Sequence, residues 1–252
     1  MLKIIISPAK KMNEADNYTF ELTQPVFKEY TRQLYNILKE LDKEELKSLW
    51  NCSDKLVDQN FERLHTYDPD SNLTPALLAY EGIQYQYMAP SVFSDKGWDY
   101  VSSHLCILSG LYGILRPTDG VIPYRLEMQT KLKTKDAKDL YQFWNSRLYE
   151  ALTEGDSSGH TTIINLASGE YSKNILPYLK ENDRCITCIF AEEINGKVKV
   201  KATLAKMARG EMVRFMAEHQ IEDAEEIKNF DRMSFSFRSD LSSENEYVFI
   251  KS

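Results

Sequence analysis

The chain has 252 residues, 42% of them hydrophobic and 27% charged, and a formal net charge of −7. That length and composition supply a full hydrophobic core and exclude wholesale disorder. The negative balance excludes a protein that coats nucleic acid without selectivity, since phosphate binding needs clustered lysine and arginine, but it leaves room for a local basic groove.

In chain order, the apolar run Leu2 to Ile6 reads as a strand. It is too short for a signal peptide, and no stretch reaches the length of a membrane-spanning helix. The cytosol is therefore the expected location, with no membrane partner. Residues 25–40 place Tyr30, Leu34, Ile37, Leu38 and Leu41 on one helical face; a shorter helix follows over 43–50, and another over 54–65 with Ser53 placed to cap it. Thr74-Pro75 has the form of a helix start that stops near Gly82. Residues 83–88 alternate as a strand does. Ser94 precedes a helix carrying Trp98 and Val101, strand 105–109 follows, and apolar spacing predicts a helix over 136–152. Glu154 to Gly159 reads as a surface loop. Strands are expected at 161–166, 185–190 and 197–202, a helix at 203–219, a short helix at Asp223 to Phe230, and an edge hairpin from 233–237 and 246–250. Apolar strands interspersed with helices predict one α/β domain over 1–252, its mostly parallel or mixed sheet covered by helices.

Four cysteines and four histidines are scattered. Cys185-x-x-Cys188 has redox or zinc spacing, but it lies in a strand, where positions three apart face opposite ways, and no second ligand pair accompanies it. Buried structural thiols that do not sense peroxide are the expectation, with no metal and no cofactor.

Chemistry collects in three loops that follow apolar strands. The first holds Ser7-Pro8-Ala9-Lys10-Lys11. The second holds Ser109-Gly110-Leu111-Tyr112-Gly113, Arg116, Asp119 and Tyr124-Arg125-Leu126-Glu127. The third holds Ser168-Gly169-Glu170-Tyr171. If the strands are parallel, these loops share the rim where open α/β sheets bind ligands. Gly110 and Gly113 permit a tight turn or close approach to a ligand. Arg116 and Arg125 suit phosphate or carboxylate, while Asp119 and Glu127 either join a site or simply neutralise the arginines. Lys10 has no acid within two positions, which favours a ligand role. In the helix 203–219, Lys206, Gly210 and Arg214 share a face, with Arg209 beside them. Gly210 fits either a backbone approach to phosphate or tight helix packing. Helices 43–50 and 54–65 form either an ordinary helical hairpin or a helix–hairpin–helix whose Lys55 and Arg63 meet DNA phosphates. No phosphate-loop, dinucleotide-binding or nucleophile-elbow motif is present.

Taken together, Ile6-Ser7-Pro8-Ala9-Lys10, Ser53-Asp54-Lys55-Leu56, Leu108 to Gly113 with Leu115-Arg116-Pro117, Pro123 to Met128, Asp139 to Trp144, Asn165 to Ser168 with Glu170-Tyr171, and Ala205-Lys206 with Ala208-Arg209-Gly210 resemble the YaaA family of peroxide stress resistance proteins. The likeness spans essentially the whole chain. It departs at Thr118, where a bulkier apolar residue is usual, and at Cys52 in the hairpin. The resemblance implies resistance to hydrogen peroxide, an indirect limit on iron-dependent damage, and double-stranded DNA bound in a cleft with a helix–hairpin–helix-like element. It raises the phosphate-binding reading of Lys10, Arg116, Arg125, Lys206, Arg209 and Arg214. Three functions compete: a DNA-binding stress protein with a basic cleft, an enzyme on a nucleotide or nucleobase with Glu127, Asp119 or Glu170 as acid or base, and a module for a protein partner, which predicts an exposed apolar patch.

Overall fold

The computed structural model describes residues 1–71 and 73–252. Strands β1 (Leu2–Ile6), β2 (Leu105–Ser109), β3 (Gly113–Leu115), β4 (Thr162–Leu166), β5 (Arg184–Ile194), β6 (Lys197–Lys199), β7 (Phe235–Phe237) and β8 (Glu246–Lys251) form one sheet in the order β7-β8-β5-β4-β1-β2-β3, with β6 paired to the far end of β5. The five central strands run parallel: β1 pairs with β2 and β4, and β5 with β4 and β8. β3, β6 and β7 are antiparallel additions. The apolar runs are continuous because both faces are covered: Ile4, Ile5, Ile6, Ile107, Leu108, Ile163 and Ile164 are all buried.

The helices that flank the sheet are α1 (Lys28–Glu40), α2 (Lys43–Trp50), α3 (Asp54–Thr66), α4 (Ile83–Met88), α5 (Asp95–His104), α6 (Leu140–Trp144), α7 (Arg147–Leu152) and α8 (Ala202–His219). Local chemistry sets several of their ends. Asp42 and Glu45 form a reciprocal capping box on α2, the Ser94 side chain accepts from the Gly97 N–H on α5, and Asp139 accepts from Gln142 on α6. Ser53 stands at the α3 N-cap without a side-chain bond. No helix is long and apolar enough among the described residues to cross a membrane.

The structure corrects several sequence expectations. Residues 83–88 are helical, not extended. Gln84, Tyr85 and Met88 face inward at helical spacing, and an alternation of six residues is too short to separate the two periods. The helix expected at 136–152 is two short ones, because Asn145 takes a backbone with φ 49° that breaks it. Thr74–Pro75 pairs with Gly120–Val121 before a single helical turn, Ala76–Ala79, instead of starting a helix that runs to Gly82. The late hairpin has only β7 at the edge, since β8 is inserted beside β5. The strand expected at 197–202 ends at Lys199, and α8 takes over from Ala202.

Helix α8 packs hard against α4, and Gly210 is the reason it can. A Cβ there would stand 2.1 Å from the Gln84 carbonyl oxygen and 2.9 Å from the Met88 nitrogen. Of the two roles the sequence left open for Gly210, the packing role is the one the backbone geometry carries. The contact also fixes Gln84 and Tyr85 in the wall of the cleft described below. Gly210→Ala should therefore lower stability by about 1–3 kcal/mol through overpacking, although alanine is worth about 1 kcal/mol in an unconstrained helix. Urea unfolding measures this, and a stabilised variant would contradict the packing account.

Candidate functional site

The strand order places a crevice between β1 and β4. The chain leaves β1 for β2 on one side and reaches β4 only by crossing to the other, so the loops after β1 and β4 diverge. Ligands of open α/β sheets sit at such switch points, outside the carboxyl ends of the strands. Ser7 and Ser168 meet across it: the Ser168 N–H donates to Ser7 Oγ at 2.8 Å, and the two hydroxyls are 3.2 Å apart. Buried Asn165 shapes the second loop. Its Oδ1 accepts the Ala167 N–H at 3.0 Å, while its Nδ2 donates to Thr187 Oγ1 on β5 at 3.1 Å.

Above these serines lies a cleft of about 470 Å³. Its walls come from residues 7–11, 81–85 and 124–127, from Ser168, Glu170 and Tyr171, and from Lys206 and Arg209 on α8. Glu127 is clamped on both oxygens, by Arg125 Nη2 at 3.0 Å and Lys10 Nζ at 2.8 Å. The Arg125 side chain is only 9% exposed, and its Nε has no partner among the described residues. Arg209 also has a buried Nε without a partner among the described residues, and burial pushes its pKa down. Glu170 accepts the Gln129 N–H at 3.1 Å. Burial pushes its carboxyl above the usual range, and the charge on Glu127 pushes the same way. Tyr85 donates to the Ser7 carbonyl at 2.9 Å, and Tyr124 shares hydrogen bonds with Ser109 (2.6 Å) and Tyr80 (2.7 Å). Burial pushes the Tyr124 phenol up to about 12 and those of Tyr80 and Tyr85 well above their usual value, so all three stay neutral.

The cleft thus gathers Ser7, Lys10, Tyr124, Arg125, Glu127, Ser168, Glu170, Lys206 and Arg209 from the residues singled out in the sequence. Lys10 has its acid after all, brought by tertiary structure as Glu127. Ser109 is wholly buried and stands one hydrogen bond behind Tyr124. Tyr112 is buried as well, its hydroxyl accepting the Ile122 N–H at 3.1 Å. Gly110 makes a close approach, but to the chain itself: a Cβ would lie 2.3 Å from the Leu126 carbonyl oxygen.

Four of the expected phosphate ligands lie outside the cleft. Arg116 is carried away because β3 doubles back antiparallel to β2. It is held by buried Asp119 at 3.0 Å and by the Gln24 carbonyl at 2.9 Å, and Thr23 also donates to Asp119. Asp119 is therefore a structural partner, not a cleft residue. Arg214 follows Lys206 by eight residues, about 12 Å along the helix axis, and pairs with Glu218 at 2.7 Å. Lys55 is exposed on the first turn of α3, and Arg63 reaches the Met12 carbonyl at 3.4 Å. The sequence reading missed Gln84 and Tyr85 as wall residues because it assigned 83–88 to a strand; Gly82, a helix-start position, was the available signal.

A second concavity of about 1120 Å³ adjoins the cleft and shares Lys10 and Glu127 with it. One side is α1 and α2, from Ile37 to Asn51, including Glu44 and Glu45. The other is the segment 129–133, with Lys131 and Lys133 exposed. Asn51 closes α2 in a left-handed conformation (φ 45°) and leads into α3, so the turn of the helical hairpin borders this groove. Among the described residues, no group of three or more His, Cys, Asp or Glu is placed to hold a metal ion. Cys185 and Cys188 are buried, and burial pushes both thiols up to about 12.

Residues 2–241 match the family model described as peroxide stress protein YaaA. Among curated relatives, the chain is 52% identical over 248 residues to a UPF0246 protein of Agathobacter rectalis, covering 98% of each chain. It is 51% identical over 251 residues to a UPF0246 protein of Pediococcus pentosaceus, covering 99% of this chain and 98% of the relative. A UPF0246 protein of Lactiplantibacillus plantarum is 52% identical over 249 residues, with 99% of each covered.

The raised carboxyl of Glu170 has a consequence for stability. A carboxyl that binds its proton more tightly when folded costs stability once the pH passes first its unfolded and then its folded pKa. Glu170→Gln, which mimics the protonated form, should stabilise the protein at neutral pH. The gain should fade as the pH falls through the carboxylate range. Thermal melts across pH report this; a destabilised variant at pH 7, or a gain that persists at low pH, would show that Glu170 is not held this way.

Proposed function

The chain belongs to the peroxide stress protein YaaA family, and on that premise we propose that it acts in resistance to peroxide by holding double-stranded DNA along the groove that adjoins the cleft. The observation that carries this reading is the shared wall at Lys10 and Glu127. It sets the cleft and the groove side by side, with the groove bordered by Lys131, Lys133 and the turn between α2 and α3. Phosphates favour the lysine side. Glu44 and Glu45 on the facing wall repel a phosphate backbone and confine it to that side. Helix–hairpin–helix recognition of a phosphate backbone is the part played by α2 and α3. The overall charge of −7 suits a local footprint and not a general affinity for polyanions. In this reading protection is exerted on cytoplasmic DNA, and any effect on iron is indirect.

Each phosphate contact contributes about 0.9 to the slope of log affinity against log salt. Lys131→Ala/Lys133→Ala should therefore weaken duplex binding and flatten the slope by about two units. Arg116→Ala and Arg214→Ala, whose guanidinium groups serve Asp119 and Glu218, should leave the slope unchanged. Fluorescence anisotropy with a labelled duplex at several salt concentrations measures both quantities. An unchanged slope in the folded lysine double variant would reject the groove.

A further inference from the structure

We propose that the switch-point cleft is itself a binding site for a nucleoside monophosphate, with the phosphate on Lys206 and Arg209 and the base or sugar against Glu127 and Glu170. This goes beyond the groove reading and does not depend on it, because the ligand, the residues and the mode of contact all differ.

The cleft is divided by charge. On the α8 side, Lys206 and Arg209 are three residues apart and line the same wall. Arg209 keeps a buried Nε with no partner among the described residues, and Arg214 further along α8 is neutralised by Glu218. Withdrawing a guanidinium from water without a counter-ion is costly, and an anion arriving in the cleft removes the cost. Lys10 and Arg125 do not compete for that anion, since both are committed to Glu127. Two uncommitted cations match one phosphate monoester, which carries about −1.5 to −2 near neutral pH. A diester inside a polymer carries a single charge and must leave the cleft in two directions.

The opposite end is built for hydrogen-bond donors. Glu127 is paired with two cations, while Glu170 has one oxygen on the Gln129 N–H and burial that favours its proton. Such a pair can accept ring or exocyclic N–H groups or sugar hydroxyls, and Glu170 can also donate. Tyr124 and Tyr171, both largely buried, also line the cleft and give its lining aromatic surface. The volume of about 470 Å³ falls within the roughly 300–1,000 Å³ typical of small-ligand pockets.

The test is isothermal titration calorimetry on the full chain with the common ribo- and 2′-deoxyribonucleoside 5′-monophosphates, their nucleosides, and inorganic phosphate. At least one monophosphate should saturate the site, and its nucleoside and inorganic phosphate should each bind at least tenfold more weakly. Lys206→Ala, an exposed change that spares the core, should weaken that binding at least fivefold, and Arg209→Gln at least tenfold where the variant folds. Lys131→Ala/Lys133→Ala should bind the monophosphate as the parent does whatever happens to duplex DNA, so the two readings fail separately. No saturable binding by any monophosphate up to millimolar concentration would overturn the proposal. So would a nucleoside or inorganic phosphate that binds as tightly as the nucleotide, or an unaffected Lys206→Ala variant.

Discussion

The site depends on one constraint, the adjacency of β1 and β4. These strands are far apart in sequence, parallel and side by side, and the chain must cross the sheet to connect β3 with β4. Their following loops therefore separate, and the crevice between them is closed at its base by the Ser168 N–H donating to Ser7 Oγ. Everything polar in the cleft is arranged around that base. The 124–127 segment is brought over it by Tyr124 bonding to Ser109 at the end of β2. Helix α4 is pinned beside it by Tyr85 on the Ser7 carbonyl and by the bare backbone of Gly210 on α8.

That arrangement accounts for an acidic protein with a charged but sparing site. Its cations are mostly committed: Lys10 and Arg125 to Glu127, Lys11 to Glu81, Arg116 to Asp119, Arg214 to Glu218. The exposed pairs among them contribute little stability, since such pairs are worth about 0–1 kcal/mol. Arg125 differs, being nearly buried, and Glu127 is the partner that makes its burial tolerable. In the readings proposed above, functional capacity rests on the cleft groups left without partners among the described residues, chiefly Arg209 on α8, and on the lysines that border the groove beyond Lys10.

Much of this was legible in the chain. Five-residue apolar runs such as Leu2–Ile6 and Leu105–Ser109 are buried on both faces, and their strand identity follows from composition alone. The convergence of the Ser7–Lys10 and Ser168–Glu170 loops followed from strand parallelism. Other features depend on contacts between distant residues. Nothing near Lys10 in sequence announces Glu127, and nothing near Arg116 shows that β3 turns back and carries it out of the cleft. Spacing by four put Lys206 and Arg214 on one helical face, but a face is not a site, and the length of α8 separates them. The misread 83–88 segment shows the limit of periodicity: Gln84 and Tyr85 became visible as wall residues only once α8 had fixed them.

The central claim is that the groove beside the switch-point cleft, and not the dispersed surface arginines, is the working part of the molecule in the peroxide resistance proposed for it. Survival of cells lacking this protein under a peroxide challenge, complemented with variants expressed to equal folded levels, tests it most directly. The account predicts that Lys131→Ala/Lys133→Ala fails to restore resistance while Arg116→Ala/Arg214→Ala restores it as fully as the parent chain. Full rescue by the groove variant, with loss of rescue in the surface-arginine variant, would contradict it.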